Sequence, residues 1–405
     1  MKVGIYFPGF PLYSGGQYTF EHELLSAFVE VSEESHHTFS LYYTEKWDLS
    51  TSPLPSTKKI TTKFIDPNKS VPEPRKGLLQ KIIRKYIEMD QMDQKTKLEI
   101  EFQKALKEDN IQFLWFPTPL YLRGEIPYIA TSLDIQHRLQ PWFPEFSQSA
   151  RWNYLEQHYA DYLRRAAYII VPNQTGQDEL SFFYRIPPER FRILHHPTPR
   201  IKEMPTNAQI ENVLLKFNLK TKYLFYPAQF WAHKNHANLL RAVRILNERH
   251  GIDLALVLAG SDRGNLSYIL ELADELQIRE NVHYLGFISR EDLLALYKGA
   301  FALTYMSYFG PENLPPLEAF SCGCPVIASD VAGAAEQLGD AAIRVDPSNP
   351  EKIAIAIKNV YENPLIRKSL VEKGYARSQG FSSLDYVRRV IATMDEFQSI
   401  RINWR

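Results

Sequence analysis

Short apolar runs alternate with longer amphipathic stretches along this chain, and the pattern occurs twice, on either side of a proline-punctuated segment at Pro197–Pro205. The runs Val3–Phe7, Phe113–Phe116, Tyr128–Ala130 and Tyr168–Val171 are bounded by turn residues. Strands buried on both faces read this way, as they do in parallel sheets covered by helices. After the linker the rhythm restarts, with strand candidates at Tyr223–Tyr226, Leu254–Ala259, Val282–Leu285, Phe301–Tyr305, Val326–Ala328 and Ala342–Val345. Helical stretches such as Leu239–Arg249, Leu266–Leu276 and Arg290–Tyr297 separate them. Two such halves predict an α/β protein of two Rossmann-like domains facing a cleft. The length of 405 residues agrees, being too great for one ordinary core.

Charge and cysteine content narrow the function classes. Lys plus Arg and Asp plus Glu both number 47, a balance that argues against a dedicated nucleic-acid binder. Cys322 and Cys324 are the only cysteines. They stand too close for an ordinary disulfide and too few for a zinc site, which fits a reducing compartment. The apolar start Met1–Phe7 is shorter than a secretory signal, and no run approaches the roughly 20 residues of a membrane span. These features predict a cytoplasmic protein.

Lys58–Lys107 breaks the rhythm, being long, charged and poor in strand signals. Within it, residues 75–87 set Leu78, Leu79, Ile82, Ile83, Tyr86 and Ile87 on one helical face with basic residues opposite. The stripe fits a helix packed on the first domain. It also fits peripheral docking on an anionic inner membrane face near a lipid-linked acceptor.

Four segments carry candidate chemistry. In Phe309–Ser329 a Gly/Pro loop feeds a short helix, with Pro315 and Pro316 suited to its start. Glu318 then falls in the first turn, where a carboxylate can complement the helix dipole or hold a pair of ribose hydroxyls. Tyr226–Asn235 follows the first strand after the linker and offers Gln229 and Lys234. The Gly15–Gly16 pair follows the first strand of the chain, where glycine lets a ligand approach the backbone. Thr131–Arg138 ends another strand and holds Asp134 and His137.

Together these segments resemble the family 4 retaining glycosyltransferases, throughout most of the second half and more loosely in the first. The resemblance implies a GT-B fold: residues 1–200 as an acceptor-side domain, 201–380 as a nucleotide-sugar-binding domain, and 381–405 as a helix crossing back to the first domain. It implies that Glu318 holds the donor ribose and Lys234 its diphosphate, with Gly15 and Gly16 near the phosphates. Phe287 and Ile288 fall in the loop that cradles the base. Asp134 and His137 border the transferred sugar.

The chain departs from the family pattern at three positions. Gly310 stands where the family's first glutamate falls, Gln229 stands for an arginine, and Leu133 stands for a histidine. The resemblance leaves Gly310, Asn313 and Leu314 to replace the lost glutamate, chiefly through backbone amides. Val331–Glu336 resembles a small-residue loop that Glu336 supports. The implied activity is metal-independent transfer of a sugar, mannose at the family level, from a nucleotide-diphosphate sugar to a glycan or lipid-linked acceptor in surface polysaccharide synthesis. The departures motivate one alternative, a non-catalytic nucleotide-sugar or glycan binder. A nucleotide-sugar epimerase or a phosphorylase on the same architecture is the other.

Overall fold

A computed structural model describes residues 1–44, 57–66 and 94–404. The amphipathic stretch at 75–87 lies outside the described residues.

The first domain is built on seven strands: β1 (Lys2–Tyr6), β2 (Thr38–Tyr43), β3 (Ile60–Phe64), β4 (Phe113–Trp115), β5 (Tyr128–Thr131), β6 (Tyr168–Val171) and β7 (Phe191–Ile193). They pair in the order β3-β2-β1-β4-β5-β6-β7, parallel throughout. The second domain holds β8 (Tyr223–Pro227), β9 (Ala255–Ala259), β10 (Val282–Tyr284), β11 (Ala302–Tyr305), β12 (Val326–Ser329) and β13 (Ala342–Val345). Their order is β10-β9-β8-β11-β12-β13, again all parallel. In each sheet the order reverses beside the domain's first strand, β1 or β8. Ligands bind such sheets in the crevice beyond the carboxyl ends at that switch point.

Three strands were absent from the sequence expectation: β2, β3 and β7. β3 corrects the reading of Lys58–Lys107 as poor in strands. Its sequence Ile-Thr-Thr-Lys-Phe is polar because it forms the sheet edge, where only Ile60 is fully buried.

The helix Ser383–Arg401 leaves the second domain and packs in the first domain's core. Val387, Val390, Ile391, Met394 and Phe397 join the cluster built on Val3, Phe28 and Phe113, and the Phe397 ring stacks on Phe113 at 4.0 Å. Cys322 and Cys324 are buried free thiols within the second core. Among the described residues no helix is long and apolar enough to cross a membrane.

Candidate active site

A cleft of about 950 Å³ lies between the domains. From the first domain it takes Gly15, Gly16 and the first turn of the helix Gly16–Ser32. From the second it takes Gln229, Lys234, Phe287, Ile288, Asn313, Leu314 and Glu318. Four widely separated sequence stretches thus meet at the switch points of both sheets.

Gly15 caps the helix Gly16–Ser32 with φ of 65° and no side-chain cap. A left-handed cap without a competing side chain leaves first-turn amides able to receive an anion. The preceding loop is anchored by the buried Glu21 carboxylate, which accepts from Gly9 N at 3.1 Å and Phe10 N at 2.7 Å. Burial nevertheless pushes the Glu21 carboxyl up to about 7. Gly16 faces across the cleft, so that a Cβ there would meet Leu314 Cδ1 at 3.9 Å.

Lys234 belongs to a 3₁₀ turn after β8. Its Nζ donates to the Tyr305 hydroxyl at 3.0 Å. Tyr305, at the end of β11, donates in turn to Asn313 Oδ1 at 2.9 Å. Asn313 Nδ2 donates to the Gly310 carbonyl at 2.9 Å, which closes the chain Lys234–Tyr305–Asn313–Gly310. This network lies where the resemblance leads one to expect the family's first glutamate. Gly310 has φ of 115°, and a Cβ there would lie 2.6 Å from Asn313 Oδ1. The Asn313 amide and a side chain at 310 therefore exclude one another.

Gly310 itself is not among the walls of the main cleft; it borders a small adjoining void. The backbone amide of Asn313 is also taken, donating to Gln337 Oε1 at 3.0 Å, while Gln337 Nε2 returns to the Asn313 carbonyl at 2.8 Å. Of the amides expected to stand in for the glutamate, that of Asn313 is therefore committed inside the second domain. The Asn313 side chain and its Tyr305 partner both border the cleft.

Glu318 sits one turn into the helix Leu314–Ser321 and is buried to 5% exposure. Arg290 Nη1 donates to its Oε1, and the Tyr297 hydroxyl donates to its Oε2 at 3.0 Å. Each carboxylate oxygen keeps a further lone pair for a ligand hydroxyl. Arg290 also lines the cleft, so cation and carboxylate present together.

At the arginine-replacing position, Gln229 Nε2 donates to the Tyr13 carbonyl at 3.3 Å and its Oε1 accepts from Trp231 Nε1 at 3.0 Å. Gln229 therefore bridges the domains and supplies no charge. Arg263 also lines the cleft, with its guanidinium 5.6 Å above the Trp231 ring.

Of the strand-end pair, Leu133 reaches the cleft wall and neither Asp134 nor His137 does. Asp134 accepts from Gln136 N at 3.1 Å. Burial pushes its carboxyl up against the opposing field of Lys234. His137 is corrected more strongly: its ring is buried, stacked on Tyr159 at 5.4 Å, and 3.3 Å from Glu156 Oε2. Burial holds it below the usual imidazole range. A neutral ring enclosed by Tyr159, Tyr184 and Glu156 is part of the first domain's interior.

Sequence reasoning missed the contacts that hold the domains together. Glu336 lies in the second domain, yet it caps a helix of the first: Gln174 N and Thr175 N donate to its oxygens at 2.8 and 3.1 Å. Glu312 is buried against the linker, accepting from His196 N at 2.6 Å and pairing with His195. His233 pairs with Glu145 of the opposite domain. The sequence assigned Glu336 to the support of its own loop, and no local signal names a partner 161 residues away.

Two parallel Rossmann-like sheets, a cleft at both switch points and a C-terminal helix that returns to the first domain together define a GT-B fold. Within it, residues 209–377 match the family model of glycosyl transferases group 1. The chain is 30% identical over 243 residues to O-antigen chain mannosyltransferase B of Escherichia coli, and 22% identical over 241 residues to the O-antigen chain mannosyltransferase RfbU of Salmonella typhimurium. Both alignments take in 59% of this chain, and they span 63% of the relative's own length.

Solved structures extend the likeness over both domains. Sucrose-phosphate synthase from Thermosynechococcus elongatus superposes with a TM-score of 0.72 at 16% identity, covering 98% of this chain and 99% of that one. HepE from Anabaena, solved with UDP and glucose, gives 0.72 at 15% identity over 98% and 100%. At such identities the likeness establishes the fold.

Proposed function

We propose that this chain is a retaining, metal-independent glycosyltransferase that moves a hexosyl group, mannose by its relatives, from a nucleoside-diphosphate sugar to a glycan or lipid-linked acceptor in surface polysaccharide synthesis. The carrying observation is the convergence of the uncapped Gly16–Ser32 helix start with Lys234 and Glu318 in one interdomain cleft. A helix start and a lysine suit a diphosphate, and a partly free carboxylate suits ribose hydroxyls. The two O-antigen mannosyltransferases, and HepE with UDP and glucose, support the substrate class.

In this reading the acceptor hydroxyl attacks the anomeric carbon on the face the diphosphate leaves. The bond from carbon to phosphate oxygen breaks as the new glycosidic bond forms, and the hydroxyl proton passes to a diphosphate oxygen. Negative charge grows on the leaving group, and Lys234 with the helix start stabilises it in place of a metal. Closure of the cleft keeps water from the anomeric carbon.

Purified protein incubated with GDP-mannose, UDP-glucose and related donors, with an acceptor glycan fraction and excess EDTA, tests this. Nucleoside diphosphate released in step with a sugar-extended product supports the reading. Tight diphosphate binding without turnover under any acceptor condition replaces it with the non-catalytic binder, and interconversion of the donor sugar replaces it with the epimerase.

A further inference from the structure

Away from the cleft, where the helix Ser383–Arg401 crosses the first domain, two histidines and an aspartate converge. His36 and His37 immediately precede β2, and Asp395 faces them from the crossing helix. Their ligand atoms all lie within 4.8 Å of one another, and no other group of three such residues converges in this way among the described residues.

The contacts inside this cluster are not ordinary hydrogen bonds. His37 Nε2 and Asp395 Oδ1 approach to 2.9 Å. Both atoms are shielded from solvent, and they pair as an ion contact whose ring N–H geometry falls off-line for a hydrogen bond. Two buried polar atoms that meet off-line leave a position between them that a further group can satisfy better. His36 Nε2 stands 3.6 Å from the same Asp395 oxygen. Ligands about 2.0–2.1 Å from a divalent ion stand roughly 2.9–3.4 Å from each other, so small shifts bring the three to coordinating distance.

The surroundings suit a cation. His37 is fully buried beside the crossing helix. Its other nitrogen, Nδ1, lies 3.0 Å from the Met1 amine, which must give up that contact or its extra proton when Nε2 binds an ion. Gln398, one turn after Asp395, sets Oε1 2.9 Å from His36 Nε2 and offers a fourth ligand atom. Imidazole and carboxylate together select a borderline divalent transition ion.

We propose that His36, His37 and Asp395 form a binding site for a divalent transition-metal ion of the Zn²⁺ class, which clips the C-terminal helix to the first domain. The site is remote from the reacting atoms, so it is independent of metal-free chemistry in the cleft. Bound metal stabilises the folded chain in proportion to its occupancy, because the unfolded chain does not hold the three ligands together.

The test uses the full-length protein after EDTA dialysis, titrated with Zn²⁺ and separately with Co²⁺. The expected result is one ion per chain, a melting-temperature rise of about 2–4 °C at saturating Zn²⁺, and visible absorption from bound Co²⁺. His36→Ala removes a ligand whose side chain is 61% exposed, so the variant folds. It is expected to lose the thermal shift and the Co²⁺ band, and Asp395→Asn should weaken both. Absence of any metal-dependent shift in the wild-type protein overturns the proposal. So does a shift that persists unchanged in His36→Ala, which would place the ion elsewhere.

Discussion

The Lys234 ammonium donates to the Tyr305 hydroxyl at 3.0 Å, and that hydroxyl is committed in turn to Asn313. The cation is therefore held on a buried strand end and directed by a phenol, so its position survives small movements of its own loop. Lys234→Ala is expected to lower kcat/KM about 10²–10³-fold without loss of fold, as removal of one charge-stabilising donor does. Tyr305→Phe keeps the charge and loses its alignment. A drop of roughly tenfold is expected there, and both are read from initial rates of sugar transfer beside a thermal melt.

A glutamate at position 310 has no room beside Asn313. Gly310→Glu needs a Cβ 2.6 Å from the Asn313 amide at a φ of 115°, so it should destabilise the chain by about 1–3 kcal/mol and lower activity. Pairing it with Asn313→Ala removes the clash and is expected to recover part of the melting temperature. Denaturant unfolding of the single and double variants decides this, and an equal loss in both contradicts the steric account.

Much of the fold was legible because its strands are short apolar runs with no competing period. Tyr168–Val171 and Ala342–Val345 fall where those runs fall. β3 was illegible because an edge strand needs only one buried face, and Thr61, Thr62 and Lys63 meet that need with polar groups. In the candidate site, the local spacing around Lys234 and Glu318 could be read from the sequence. Tyr305 could not, since a tyrosine inside an apolar strand run reads as core until its hydroxyl is placed. His137 was misread for a related reason. Strand-end position is visible in a sequence, but the direction of a side chain after a turn is set by packing, and here Leu133 took the outward place.

Glu336 is expected to govern closure more than chemistry. Its carboxylate caps the helix Gln174–Tyr184 from the other domain, and an N-cap contact contributes about 1 kcal/mol. Glu336→Gln should raise KM for the donor several-fold with a smaller effect on kcat, and small-angle scattering should register a more open particle. Unchanged KM and unchanged dimensions would remove the contact from the closing machinery.

Stability should fall as pH drops from 6.5 toward 4. His196, His233 and His236 are buried, and burial lowers their pKa values to about 4, about 4 and about 3. With folded values below the unfolded 6.5, the unfolded chain binds more protons across that window, so acid favours unfolding. Each group contributes at most about 1.4 kcal/mol per pH unit. His236→Phe, whose ring can keep the stack on Phe230 at 4.4 Å, should flatten the acid side of the melting-temperature profile.

The helix Ser383–Arg401 fills the core of a domain that began with β1, nearly four hundred residues earlier. During synthesis the first domain emerges with the face around Phe28 and Phe113 uncovered, and that face stays bare while the whole second domain is made. The order of translation is thus the reverse of the order of completion. The domain made first is finished last, and a ribosome stalled anywhere in the second half releases an apolar surface rather than a usable half-enzyme.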